Sequence, residues 1–170
     1  MLREPTLDDE DEWIARMRAS RRVHRPWIQM PMTPADYRAY IARQTGNPSR
    51  AQRIACRTED GALVGFFNVS EIIRGQLSSA FLGYGGIAEF AGRGYMTEGM
   101  ELVLREAFTS LGLHRLEANI QPGNLASKAL AERCGFVCEG FSERYLKVAG
   151  RWRDHERWAI TVEDWRGRRH

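Results

Sequence analysis

Apolar residues recur along this chain with two periods, and the points where the period changes mark its elements. The clearest helical run starts near residue 95. There Met96, Met100, Val103, Leu104, Ala107, Phe108 and Leu111 recur at i, i+4, i+7 and i+8, so they share one face. A first helix is predicted from the acids at 8–12, which suit the positive end of a helix dipole, with Trp13, Ile14, Met17 and Val23 as its apolar positions. His24-Arg25-Pro26-Trp27 breaks that pattern, because a proline disfavours helix at the residue before it. Thr33 as N-cap, Pro34 at the first helical position and Asp36 in the first turn predict a second helix to about Thr45, closed by Gly46.

From Ala51 the period falls to two. Ile54 to Thr58 and Leu63 to Val69 read as strands joined through Glu59-Asp60-Gly61, where Asp-Gly favours a tight hairpin. Glu71 to Gly75 leads into another turn, and Ser79 to Gly86 is strand-like. The Gly85-Gly86 pair predicts a bulge or a close backbone approach. Arg115 to Ile120 is a half-buried strand, and Asn124 caps a short helix to about Arg133, stopped by Gly135. Two last strands, near Ser142 to Val148 and near Trp152 to Val162, turn at Ala149-Gly150. Leu2 to Thr6 is a short first strand. With no internal repeat and no linker, this order predicts one α+β domain spanning 1–170, built on a mixed sheet.

Composition narrows the class. A chain of 170 residues with 43% hydrophobic and 28% charged content can bury a full core. No apolar run approaches the ~20 residues of a membrane span. The start, Met1-Leu2-Arg3-Glu4, has no apolar stretch of the signal-peptide kind. Cys56, Cys134 and Cys138 are odd in number and form no Cys-x-x-Cys pair, which predicts free thiols and a cytoplasmic setting. His24, His114, His155 and His170 are scattered without ligand spacing, so no metal is expected. The net charge of +3 invites nucleic-acid binding, but acids are interspersed throughout. The one basic run, 165–170, reads as a short solvated tail, and direct nucleic-acid contact is not expected.

Candidate chemistry concentrates at Ala91-Gly92-Arg93-Gly94-Tyr95-Met96-Thr97-Glu98. The N–H groups of 92–97 open a helix and have no intrahelical partner, and the dipole adds partial positive charge there. Two glycines permit positive φ and a close approach, which suits a phosphate or pyrophosphate. No Gly-Lys-Ser/Thr follows, and the third glycine of a dinucleotide fingerprint is missing.

The flanking residues carry a resemblance. Gly83-Tyr84, Gly92 to Glu98, Asn124-Leu125-Ala126-Ser127, Cys134-Gly135-Phe136 and Glu139-Gly140 resemble the GNAT family of acyl-CoA N-acyltransferases. Ile73-Arg74-Gly75, Leu82-Gly83-Tyr84, His114-Arg115, Ala118-Asn119, Gly150-x-Trp152-Arg153-Asp154-His155 and Asp164-Trp165 look like its RimJ/RimL group of ribosomal-protein N-acetyltransferases. The likeness runs from about residue 20 to 165. It implies a mostly antiparallel twisted sheet flanked by helices, in a chain acting as a monomer or homodimer. The family's phosphate loop usually begins with Gln or Arg, and Ala91 here removes one side-chain contact; Met96 is a second departure.

The activity so implied is transfer of an acetyl group from acetyl-CoA to a primary amine, with no covalent enzyme intermediate. The implied acceptor is a protein N-terminus of the ribosomal-protein alanine type; a small amine or antibiotic, or mere acyl-CoA sensing, are the alternatives. By that resemblance Gly86 and Ile87 meet the pantetheine arm, and Ala91, Gly92, Arg93, Gly94, Tyr95, Met96 and Thr97 hold the pyrophosphate. Asn124 contacts the arm, and Ser127 protonates the leaving thiolate where other members use tyrosine. Arg25, Trp27 and Tyr84 are candidates for the acceptor. Asp154 either shapes that pocket or orients backbone. Glu71 is the first candidate for the general base, with Glu117, Glu143 and a water chain as alternatives.

Overall fold

The computed structural model describes residues 1–168; Arg169 and His170, the end of the basic run, lie outside the described residues. Seven strands form one sheet in the order β1-β2-β3-β4-β5-β7-β6. They are β1 (Leu2–Arg3), β2 (Arg50–Cys56), β3 (Leu63–Ile73), β4 (Ser79–Gly86), β5 (Arg115–Ile120), β6 (Val137–Val148) and β7 (Arg151–Thr161). Every pairing is antiparallel except β4 with β5, so the mixed α+β architecture expected from the sequence is the one observed.

Helices cover both faces, and neighbouring phenylalanines on β3 show why. α1 (Glu10–Ala19) and α3 (Pro34–Gln44) pack on one face, where Trp13 lies 5.6 Å from Phe66, 5.4 Å from Tyr37 and 5.2 Å from Tyr40 between ring centroids. Alternation along the strand turns Phe67 to the opposite face, where α4 (Tyr95–Thr109) lies against it. A Cβ at Gly99 of α4 would come within 2.6 Å of the Phe67 ring, which explains a glycine inside a helix despite its cost of roughly 1 kcal/mol. The polar tips in this core are bonded: Tyr40 Oη donates to Asn68 Oδ1 at 2.7 Å, Tyr37 Oη to the Thr6 carbonyl at 2.8 Å and Trp13 Nε1 to the Pro31 carbonyl at 3.1 Å.

The expected helix starts and stops are found at Thr33 for α3 and at Asn124 for α5 (Leu125–Arg133), whose side chains accept from Asp36 N and Ser127 N. The break before Pro26 holds a further short helix, α2 (Arg21–His24). Val23, taken from periodicity as an apolar core position, is 52% exposed, because it belongs to α2 and not to α1.

Two sequence expectations are corrected at the C-terminal end. β6 begins at Val137, well before Ser142, because its pairing with β7 continues past a bulge near Glu139. The run from residue 165 is also folded, at least as far as it is described. Thr161 and Asp164 form a reciprocal cap on α6 (Val162–Gly167), Trp165 is buried 5.5 Å from Phe108, and Arg168 reaches Glu101 at 2.9 Å. Among the described residues no helix is long and apolar enough to cross a membrane.

Candidate active site

The site grows from one topological feature: β4 and β5 start as neighbours and then part. They pair only through Ser79–Phe81 and Arg115–Glu117, while β4 stays paired with β3 as far as Gly86. On the side facing β5, the main chain of 82–86 therefore has no strand partner. A cleft of about 750 Å³ runs along this gap, between the end of β4, the start of α4, the first turns of α5 and the α2 region.

One wall is the turn into α4. Gly92 and Gly94 have φ of 75° and 85°, and Gly94 is the N-cap. The N–H groups of Gly92, Arg93, Gly94, Tyr95 and Met96 find no acceptor among the described residues. Five free donors at a helix N-terminus make a concave site for an anion. A Cβ at Gly92 or Gly94 would meet nothing within 4 Å, so what these glycines supply to the protein itself is the left-handed backbone. Met96 lies over the strand ends: a Cβ at Gly65 or at Gly86 would strike its side chain.

Opposite stands α5. Asn124 Oδ1 accepts from Ser127 N at 3.2 Å, which caps the helix and orients the next residues. Ser127 Oγ donates to Tyr84 Oη at 2.8 Å, and Tyr84 Oη donates to the Ser127 carbonyl at 3.0 Å. The Tyr84 ring packs 6.3 Å from Phe67. Burial pushes its hydroxyl up to about 12, so it stays protonated across the physiological range. Ser127 is therefore half-buried and tied to β4, not a solvated cap residue.

The roof comes from α2 and the segment after it. Trp27 lines the cleft, its carbonyl accepts from Gln121 Nε2 at 3.2 Å, and its ring would lie 3.2 Å from a Cβ at Gly123. It thereby bridges the α2 region to the turn between β5 and α5. Ser20 Oγ accepts from Ala88 N at 2.9 Å, and His24 Nε2 lies 2.9 Å from the Gly86 carbonyl. Because a carbonyl only accepts, the proton of neutral His24 sits on Nε2. Burial holds this imidazole below its usual value of 6.5, against the smaller opposing pull of the Gly86 carbonyl.

The residues expected from the sequence to hold a cofactor largely share this cleft. Gly86, Ile87, Ala91, Gly92 and Gly94 line it, as do Tyr95, Met96, Thr97 and Asn124, together with Ser127, Tyr84 and Trp27. Four others do not. The Arg93 guanidinium turns away to the Phe90 ring, 5.7 Å from its centroid, beside Arg16 and Arg57. Arg25 is exposed and outside the lining. Asp154 is exposed on the terminal hairpin, where its Oδ1 accepts from Arg144 N at 2.8 Å; of its two anticipated roles, orienting backbone is the one observed. Glu71, the first candidate for the base, sits at a bulge of β3 with φ of 51°, pairs with Arg50 at 3.4 Å and lies outside the lining of the cleft.

Sequence inspection missed His24, set aside as one of four scattered histidines, and Arg133, which lines the cleft within 3.4 Å of Thr97 Oγ1. The available signal for His24 was its i, i+4 spacing from Ser20, which puts both side chains on one helical face. Among the described residues no group of three His, Cys, Asp or Glu side chains is placed to hold a metal ion.

Known proteins share this architecture. The chain is 42% identical over 105 residues to "Probable N-acetyltransferase YjcK" of Bacillus subtilis, and 35% identical over 107 residues to the [ribosomal protein uS5]-alanine N-acetyltransferase of Escherichia coli. These matches cover 62% and 63% of this chain, and the chain spans 58% and 55% of those relatives' lengths. A solved structure of Mycobacterium smegmatis RimJ in complex with CoA-disulfide superposes with a TM-score of 0.87 at 29% identity, over 95% of this chain and 81% of that one. Residues 1–137 match the acetyltransferase (GNAT) domain family, and with the parted β4 and β5 and the donor-lined turn into α4, the chain belongs to that family.

Proposed function

We propose that this protein transfers an acetyl group from acetyl-CoA to a primary amine by direct attack in a ternary complex, and that the acceptor is the N-terminal α-amine of a protein. The observation that carries this is the continuity of one cleft. It joins five unpaired N–H donors at α4 to the unpaired edge of β4 and the Tyr84–Ser127 pair. A pyrophosphate suits the donors of Gly92 to Met96. The pantetheine arm suits the gap left by β5, with the Asn124 side chain beside it, and brings a thioester to the region of Gly85, Gly86 and Ile87. Ser127 then stands where a thiolate must be protonated, and the cleft supplies the proximity that replaces a bimolecular encounter.

Two features support an α-amine. Among the described residues Glu98 is the only carboxylate in the cleft's lining, and the roof near Trp27 is built from Val23, His24, Trp27 and Ile28. That end offers nothing to balance a polycation. An α-amine, with a reference pKa of about 7.7–8.0, also needs far less help to lose its proton than a lysine at about 10.4. The E. coli relative named a [ribosomal protein uS5]-alanine N-acetyltransferase points the same way, to a ribosomal protein as acceptor, and with it to a cytoplasmic setting for this protein.

The test incubates the protein with acetyl-CoA and a library of N-terminal peptides and locates the added acetyl group by mass spectrometry. Modification of α-amines, with alanine-led peptides favoured, is the expected result. Transfer to small amines alone would overturn the protein acceptor. Absence of acetyl-CoA binding at millimolar concentration in calorimetry would overturn the whole proposal.

A further inference from the structure

We propose that His24 is the general base of this site, taking a proton at Nδ1 from the acceptor amine; this rests on the acetyl-transfer function proposed above. Three observations carry it. First, the ring lines the cleft at the end of β4: it lies 5.7 Å from Phe66, donates through Nε2 to the Gly86 carbonyl at 2.9 Å, and would lie 3.4 Å from a Cβ at Gly85. That is the stretch of strand assigned to the thioester. Second, the Nε2 bond fixes the tautomer and leaves the lone pair on Nδ1, which has no partner among the described residues. Third, the cleft offers no rival. Glu98 belongs to the first turn of α4, beside the anion-binding donors, and the Tyr84 hydroxyl is already committed to Ser127.

Holding the Gly86 carbonyl in place would account for the Nε2 bond alone. It would not account for an unpartnered basic nitrogen on a ring that lines the cleft. As a base, Nδ1 takes one proton from the acceptor ammonium and leaves a neutral amine. The amine lone pair forms the C–N bond at the thioester carbonyl. As the C–S bond breaks, the remaining excess proton on nitrogen is matched by one delivered to sulfur through Ser127. The imidazolium is held meanwhile by its Nε2–H on the Gly86 carbonyl, and then releases its proton to solvent. The products are amide, free thiol and one proton.

The charge environment of the ring is simple. Phe66 faces it from β3, and Gly85 and Gly86 from β4. Arg21, Arg22 and Arg25 on its own segment are exposed, and Glu98 and Arg133 are the other charged side chains of the cleft lining.

The experiment measures CoA release with an alanine-led peptide across pH 5 to 9 for wild type, His24→Gln and His24→Ala, with CoA affinity by calorimetry as the check on folding. In both variants kcat is expected to fall about 10²-fold or more while CoA affinity holds. Added imidazole is expected to restore part of the activity of His24→Ala. In wild type, the acidic limb of kcat/KM and the NMR titration of the His24 ring are expected to share a midpoint below 6.5; this arm needs no variant to fold. A mismatch of those midpoints, or His24→Gln with wild-type kcat and an unmoved acidic limb, would overturn the assignment and leave His24 as a support for Gly86. Wild type that binds CoA but acetylates no amine would overturn it together with the function on which it rests.

Discussion

The Tyr84–Ser127 pair offers a sharp quantitative test, because one of its two bonds is shared and one is not. Tyr84→Phe removes both the acceptor for Ser127 Oγ and the donor to the Ser127 carbonyl, while the ring stays packed on Phe67. At about 1 kcal/mol net for each neutral bond, it should cost about 2 kcal/mol of stability. Ser127→Ala removes only the shared bond, about 1 kcal/mol. The double variant loses the same two bonds as Tyr84→Phe alone, so it should cost about 2 and not 3 kcal/mol, a coupling of about 1 kcal/mol. Urea unfolding of the four proteins at equal m-values measures this directly. A second signature lies at high pH. Burial raises the Tyr84 hydroxyl from 10 to about 12, so its contribution is intact below pH 10 and is lost as pH climbs from 10 to 12. Tyr37 and Tyr40 are raised too, so the quantity to follow is the difference between wild type and Tyr84→Phe. If Tyr84 presents Ser127 to the leaving sulfur, Tyr84→Phe also lowers kcat with CoA affinity intact. Costs that add within about 0.3 kcal/mol, or a pH 10–12 difference of zero, would refute the coupling.

Other consequences are equally concrete. Gly94→Ala should cost about 1–2 kcal/mol of stability for its φ of 85° without a clash, whereas Gly94→Glu should in addition weaken CoA binding by about 1–4 kcal/mol through repulsion; equal CoA affinity of the two, by calorimetry, would displace the pyrophosphate from this turn. His24 and His155 are both held below 6.5 by burial, so the contribution of these two neutral rings to stability should be complete above pH 6.5 and fall as pH drops toward their lowered values. His24→Gln should lessen that acid loss in urea midpoints taken from pH 7 to 5, and an unchanged loss would contradict a buried neutral ring. Asp154→Ala should cost about 1 kcal/mol by freeing Arg144 N in the hairpin, with CoA affinity and turnover unaltered; a large fall in kcat would return Asp154 to the acceptor site.

The sequence by itself determined the local chemistry. Thr33-Pro34 and Asn124 start helices, and Gly46, Gly61 and Gly135 take the left-handed conformations that close helices or turn a hairpin. These outcomes depend on a few adjacent residues, whose own sterics and hydrogen bonds suffice. The turn from Gly92 to Met96 was legible for the same reason, since free N–H donors and left-handed glycines are properties of the segment alone, although Thr97 N, expected free as well, bonds the Gly94 carbonyl at 2.9 Å. Only the tertiary structure decided which distant groups meet. β4 and β5 part after three paired residues, Ser127 reaches Tyr84 across 43 positions, and His24 reaches Gly86 across 62. No periodicity encodes such contacts, because they follow from how both helical layers pack onto Phe66 and Phe67. The same dependence set the places of Glu71 and of the Arg93 side chain: alternation and proximity to a motif say where a residue sits in the chain. Tertiary packing put Glu71 at a bulge and the Arg93 guanidinium over the Phe90 ring, both outside the cleft's lining.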